Sequence, residues 1–325
     1  MQTLKEYIST INEAIESTVY PKMPNRLYEP IKYTMSHGGK RLRPVLTLMC
    51  CEAFGSHVKE AIPQALGVEF FHNFTLLHDD VMDKADIRRG LPTVHCKWDE
   101  NTAILSGDAM LTMATQFVAH CNSSKLKAVI DLFNTTAMEI YEGQQYDMNF
   151  ESHLNISVDD YIMMIRLKTS VLIGCACKMG AIMGNASTHD CDKLYDFGVN
   201  LGLAFQLQDD WLDVYGDAST FGKAIGGDIL NNKKTFLLTN ALSQAKDADK
   251  AELLKWIDTN DITQNDDKIK AVTNIYNRLG IDNLCKNSID NYITTSIATL
   301  NEIKMPQEAH NTFIAFVDTI MNRNK

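Results

Sequence analysis

Six aspartates stand in two matching groups, Asp79, Asp80 and Asp83, then Asp209, Asp210 and Asp213. Each group has the pattern Asp-Asp-x-x-Asp and closes a mostly apolar run. On a helix, the first and last members lie one turn apart on one face, with Cβ atoms roughly 5–6 Å apart. Like charges at that spacing repel, and the macrodipole already makes a helix C-terminus negative. A hard divalent cation relieves both penalties. Carboxylate oxygens suit Mg2+, which readily shares its coordination shell with substrate phosphates. Two solvated acidic helix ends are the plainer reading, but solvated ends do not need a long apolar run leading into them.

Basic residues occur where an anion facing such metals would need them. Arg88 and Arg89 follow the first group, and Lys40 and Arg43 sit on a turn that opens with Gly38 and Gly39. Lys223 and Lys233 flank the segment after the second group, and Lys168 lies in an apolar helix. Arg presents a bidentate fork to phosphate oxygens, whereas Lys acts as a point charge. Taken singly, each is more commonly a surface residue. Their conjunction with the acidic groups points to a diphosphate bridged by metal.

Long helices are needed to hold these groups. Apolar residues recur at helical spacing along nearly the whole chain, and strict alternation is scarce. The spacing predicts helices over 3–19, 25–36, 43–55, 61–83, 100–121, 124–150, 158–184, 188–215, 232–258, 265–281, 282–303 and 306–323. Pro63 suits a first helical turn. Ser157 with Asp160, and Ser187 with Asp190, resemble capping boxes in which Asp replaces Glu. Gly and Pro, 17 and 7 residues of 325, come to about 7% against a usual ~12%. No low-complexity linker divides the chain, so one all-α domain over residues 1–325 is expected.

Charge and composition exclude several functions. The net charge is −10 and the pI about 5.4, without the basic footprint of a nucleic-acid binder or of a protein drawn to anionic membranes. The most apolar stretch, 171–183, contains Lys178 and is shorter than the ~20 residues a membrane span needs. No signal peptide is evident. The eight cysteines lack zinc-ligand spacing and read as reduced thiols of a cytoplasmic protein.

Several runs together resemble the trans-isoprenyl diphosphate synthases, or polyprenyl synthetases. They are Gly38 to Pro44, Leu77 to Asp83, Arg88 to Gly90, Lys168 with Thr169, Phe205 to Asp213, and Gly227 with Asp228 through to Lys233. The match spans roughly residues 20–240 in the family's order. The resemblance implies a bundle of long helices around a central cavity, usually a homodimer. It also implies that isopentenyl diphosphate attacks the carbocation left by an ionised allylic diphosphate. By the same resemblance, Asp79, Asp83 and Asp209 bind Mg2+, three ions per site with substrate, and Asp80, Asp210 and Asp213 support them at the metal. Arg88, Lys168, Lys223 and Lys233 hold the allylic diphosphate. Lys40, Arg43, His72 and Arg89 hold isopentenyl diphosphate. Thr169 and Gln206 turn oxygens towards the carbocation, and the leaving diphosphate is the base. Trp211 departs from the family, which more often has an aliphatic residue there, and is expected to pack outward or on a neighbouring helix.

Product length is read from the helix before Asp79. Phe74 lies about 7.5 Å up that helix at 1.5 Å per residue, with Phe70 and Phe71 one turn further. An aromatic there beside a small residue, Thr75, resembles the farnesyl and geranylgeranyl enzymes. A C15–C20 product is expected, geranylgeranyl ahead of farnesyl, with a longer-chain synthase as the alternative and Met113 as a further lining residue. Phe74 as plain core packing is the competing reading. A terpene cyclase is disfavoured by the Gly38–Pro44 turn and the second acidic group. A non-catalytic partner subunit is disfavoured because both acidic groups are intact. A di-iron bundle is disfavoured because Glu69 and His72 form the chain's one Glu-x-x-His pair.

Overall fold

Capping chemistry sets the helix starts. Thr3 Oγ1 accepts from Glu6 N at 3.3 Å, while the Glu6 carboxylate accepts from Thr3 N at 2.7 Å. Ser157 and Asp160 form the expected reciprocal pair. Ser187 Oγ accepts from Asp190 N at 3.1 Å. Each such cap satisfies one of the four N–H groups a helix leaves unpaired at its N-terminus.

The computed structural model describes residues 1–153, 155–217, 225–259 and 261–321; Lys223 lies outside them. The helices are α1 (Leu4–Glu16), α2 (Asn25–Ser36), α3 (Leu42–Ala53), α4 (Ile62–Met82), α5 (Val94–Lys97), α6 (Glu100–Ala119), α7 (Ser123–Glu151) and α8 (Val158–Ile165). After a π-helical turn, Arg166–Ser170, come α9 (Val171–Met183), α10 (Thr188–Tyr215), α11 (Gly227–Leu230), α12 (Phe236–Gln244), α13 (Asp247–Ile257), α14 (Asn265–Arg278), α15 (Ile281–Asn301) and α16 (Gln307–Met321). The fold is all-α, as expected. Among the described residues the only strands are β1 (Ile87–Arg88) and β2 (Leu91–Pro92), paired antiparallel. Their two-residue turn, Arg89-Gly90, has φ of 52° and 76°. Positive φ at both positions is the type I′ geometry that suits a hairpin's twist.

Two predicted helices differ in detail. The one over 232–258 is α12 and α13, because Thr235 caps a new start and Ala245 leaves the helix in extended backbone. The one over 158–184 is interrupted by the π-turn. Among the described residues no helix is long and apolar enough to cross a membrane. All eight cysteines are free thiols, and six are buried.

The chain forms two compact units. The first comprises Met1–Thr136, Leu172–Tyr195 and Ile303–Phe313. Its core is α4 against α6, brought close by a glycine at each end of the contact. A Cβ on Gly67 would lie 2.6 Å from Val118 Cγ2, and one on Gly107 would lie 2.2 Å from His78 Nε2. The pairing of 67 with 118 and 78 with 107 makes the two helices antiparallel. Gly180 and Gly184, one turn apart on and just past α9, give α3 a similar approach. The second unit comprises Ala137–Val171, Asp196–Glu302 and Ile314–Lys325. There α15 lies along α10: Ser296 Oγ donates to Phe197 O at 3.1 Å, and Trp211 Nε1 donates to Asp282 Oδ1 at 2.6 Å. Trp211 also stacks on Tyr215 at 5.5 Å, so this departure from the family packs against a neighbouring helix as expected.

The α3–α9 contact is testable. A Cβ on Gly180 would sit 2.1 Å from Thr47 O, a backbone atom that cannot yield alone. Gly180→Ala should cost about 1–3 kcal/mol through overpacking, read as a lower denaturant midpoint at unchanged m-value.

Candidate active site

In the first unit, α4 ends with its three aspartates in one turn. Asp83 is the C-cap, and Lys84 follows with φ of 51°. Ala85 N donates to Asp80 O at 2.9 Å, and Lys84 N donates to Val81 O at 3.3 Å. This is a Schellman ending with lysine at the position that usually takes glycine. Asp80 is buried and accepts from Arg88 Nε at 2.7 Å. Burial pushes its carboxyl up, and Arg88 opposes that shift. Asp79 is partly exposed and Asp83 exposed.

The hairpin docks its arginine tip on the glycine turn. Arg89 Nη1 donates to Gly38 O at 2.6 Å and His37 O at 3.1 Å. A Cβ on Gly39 would meet the guanidinium at 3.3 Å, so the group lies flat against this residue. Arg43 Nη1 donates to His72 Nε2 at 3.3 Å. The His72 ring is held neutral, well below its usual pKa, by burial first and then by the positive charge of Arg43, Arg89, Arg88 and Arg41. Three of the four residues expected at isopentenyl diphosphate, Arg43, His72 and Arg89, therefore share one cationic neighbourhood. Lys40 is exposed on the same turn.

The sequence singles out Glu69 but leaves its partner, Arg41, unassigned. Arg41 is 5% exposed, with φ of 49°, and donates to Glu69 Oε1 at 2.6 Å, to Met35 O at 3.0 Å and to Asn12 Oδ1 at 3.2 Å. Asn73 Nδ2 gives Glu69 a second donor at 3.2 Å. A carboxylate inside the apolar run of α4 was the available signal, since a buried charge requires a partner.

The aromatic residues expected to set product length lie on the same helix. Phe74 is 5% exposed and packs against Phe71 at 5.5 Å and His78 at 4.8 Å. Phe71 is fully buried, edge-on to Phe133. Thr75 is partly exposed and donates to His72 O at 2.8 Å. Met113 lines a separate groove of about 400 Å³ with Pro63, Leu66, Gln116, Phe117 and His120.

In the second unit, the π-turn and the second acidic group form one network. Thr169 Oγ1 donates to Gln206 Oε1 at 3.2 Å, and Gln206 Nε2 donates to Asp210 Oδ1 at 3.1 Å. The other Asp210 oxygen accepts from Tyr161 OH and, at 3.4 Å, from Phe236 N. Asp210 is 2% exposed, and its pKa is pushed up to about 7 by burial and by the charge of Asp228, against the pull of Tyr161, Lys233 and Gln206. Asp213 Oδ2 accepts from Asp228 N at 2.9 Å, and Lys233 Nζ stands 3.9 Å from Asp228 Oδ1. Lys168 Nζ donates to Asp147 Oδ2 at 2.5 Å. Asp209 and Asp213 are partly exposed.

The donor chemistry fits Mg2+. The accessible groups are hard carboxylate oxygens. Among the described residues no three acidic, histidine or cysteine side chains converge into a cage. Mg2+ typically takes one or two carboxylates and completes its shell with water and substrate phosphates.

Comparison with known proteins agrees with this chemistry. The polyprenyl synthetase family model matches residues 24–276. The geranylgeranyl diphosphate synthase of Methanosarcina mazei is 38% identical over 243 residues, covering 74% of this chain and 75% of that one. A crystal structure of a geranylgeranyl pyrophosphate synthase superposes with a TM-score of 0.96 at 43% identity, covering 100% of both chains. A polyprenyl synthase from Caulobacter crescentus CB15, solved in complex with calcium and isoprenyl diphosphate, superposes at 0.87 with 26% identity over 99% of this chain and 96% of that one. The chain belongs to the polyprenyl synthetase family. It is a prenyltransferase of isoprenoid biosynthesis.

The Arg41–Glu69 pair yields a prediction. Glu69→Ala leaves a buried guanidinium without its carboxylate and should destabilise the fold by about 3–5 kcal/mol, measured by chemical denaturation.

Proposed function

We propose that the chain condenses isopentenyl diphosphate with an allylic diphosphate (dimethylallyl, geranyl or farnesyl) to give a trans-prenyl diphosphate of C15–C20, with geranylgeranyl ahead of farnesyl. One observation carries this reading. His72, Thr75, Asp79 and Asp83 follow each other at steps of three, four and four, with Leu76 four after His72 and three before Asp79, so they line one face of α4 or its cap, and each is partly or fully exposed. His72 and Asp79 are seven residues apart, about 10.5 Å along the axis. One helix thus presents a cationic neighbourhood at one level and accessible carboxylates two turns on. That separation suits two diphosphate groups, one held by cations alone and one held through metal.

The residues take the following roles. Asp79, Asp83 and Asp209 hold Mg2+, three ions when substrate is bound, while Asp80, Asp210 and Asp213 brace those ligands. Bound Mg2+ supplies electrostatic stabilisation of the negative charge that develops on the departing diphosphate. Arg88, Lys168, Lys223 and Lys233 grip that diphosphate. Lys40, Arg43, His72 and Arg89 hold isopentenyl diphosphate, with the neutral imidazole contributing a dipole. Thr169 and Gln206 direct oxygen lone pairs at the cationic carbon. Thr75 lines the hydrocarbon's path with Phe74 and Phe71 behind it, and the tail's length is limited by those rings. The enzyme works as one catalytic domain over 1–325, a homodimer in the cytoplasm. Exposed Ile104 and Leu105 on α6 support a partner surface.

Diphosphate release from metal-stripped enzyme resupplied with Mg2+ tests this reading. Asp79→Ala and Asp209→Ala should each lower kcat on the order of 10³-fold, the loss of several kcal/mol of metal-based stabilisation. Near-normal turnover in either would overturn the metal assignment. Phe74→Ala should lengthen the product by at least one isoprene unit in mass spectrometry. An unchanged product would assign the limit to another residue.

A further inference from the structure

Within the second unit, one face of α7 is built against the turn that carries Lys168 and Thr169. Glu139, Gly143 and Asp147 recur every four residues and so line one face. Glu139 Oε1 is 3.5 Å from Arg166 Nη1, at the start of the π-turn. Asp147 Oδ2 accepts from Lys168 Nζ at 2.5 Å. Between them the two backbones nearly touch. A Cβ on Gly143 would lie 2.4 Å from Lys168 N and 2.8 Å from both Lys168 Cα and Leu167 C. From α10, a Cβ on Gly202 would lie 2.7 Å from Ser170 Cα. The π-turn is therefore held in a slot whose walls carry no side chain at the points of contact.

Single π-turns are rare and collect at functional sites. Glycine inside a helix is destabilising relative to alanine, so its presence at 143 needs a reason, and the contact with Lys168 provides one. We propose that Gly143 and Asp147 are positioning residues for the reaction: Gly143 sets the backbone position of Lys168, and Asp147 holds its ammonium on station for the allylic diphosphate. This rests on the reading of Lys168 as a diphosphate ligand. Asp147 balances the lysine charge before substrate arrives, and the diphosphate, carrying more negative charge, then draws the ammonium away.

The test uses full-length enzyme with Mg2+ and steady-state kinetics measured separately for each substrate. Gly143→Ala should lower kcat/KM for the allylic diphosphate on the order of 10²-fold, the cost of displacing a positioned group by about 1 Å. Asp147→Asn should lower it about tenfold, within the coupling seen between contacting charged residues. Both should leave KM for isopentenyl diphosphate unchanged. In a Lys168→Ala background, Asp147→Asn should cause no additional loss. An equal loss in both backgrounds would make Asp147 merely structural and overturn the proposal, as would wild-type allylic kinetics in Gly143→Ala and Asp147→Asn. If Gly143→Ala does not fold, the Asp147 and Lys168 cycle decides alone. Lys168→Ala with unaltered allylic kinetics would sink the reading of Lys168 itself, an outcome distinct from failure of the positioning pair.

Discussion

Negative charge gathered at the last turn of α4 is the constraint around which the first unit is organised. Three carboxylates share that turn with the negative end of a helix, and their interactions with one another and with the macrodipole are repulsive. The protein answers it with local partners. Arg88 takes Asp80, and a Schellman turn through Lys84 takes the carbonyls. Asp79 stays partly accessible and Asp83 exposed at this helix end. The helix must be held firmly for this to work, and the glycine contacts between α4 and α6 hold it.

The second acidic group is treated in the same way with different partners. Its middle member, Asp210, is buried among Tyr161, Gln206 and the Phe236 amide, as Asp80 is buried with Arg88. Its outer members, Asp209 and Asp213, remain partly exposed. In both groups the central carboxylate is buried with its partners, and the outer ones are less buried. The repeated sequence pattern thus encodes a repeated division of labour.

Much of this was legible in the sequence because it depends on local spacing. The all-α fold follows from apolar periodicity and few turn formers, and the capping residues Ser157 and Ser187 act as their side chains dictate. The acidic groups announce themselves by the improbability of so much like charge on one turn. What escaped depends on contacts between residues distant in the chain. Nothing near residue 168 signals that its helix widens into a π-turn, and the glycines packed against that turn, Gly143 and Gly202, lie on other helices. Arg41 was overlooked between Lys40 and Arg43 because only the fold decides which of three neighbouring cations turns inward. The hairpin at Arg89-Gly90 is two residues per strand, too short for alternation to register.

The setting of His72 also removes an option from the enzyme's acid–base repertoire. Its Nε2 lone pair is occupied by Arg43, and four guanidinium groups discourage a second proton. Histidine ionisation is the commonest source of a sigmoid in rate near neutrality. Here burial and the neighbouring arginines push that ionisation towards acid. An imidazole so placed keeps one charge state across the neutral range, so its surroundings see a constant dipole rather than a switch.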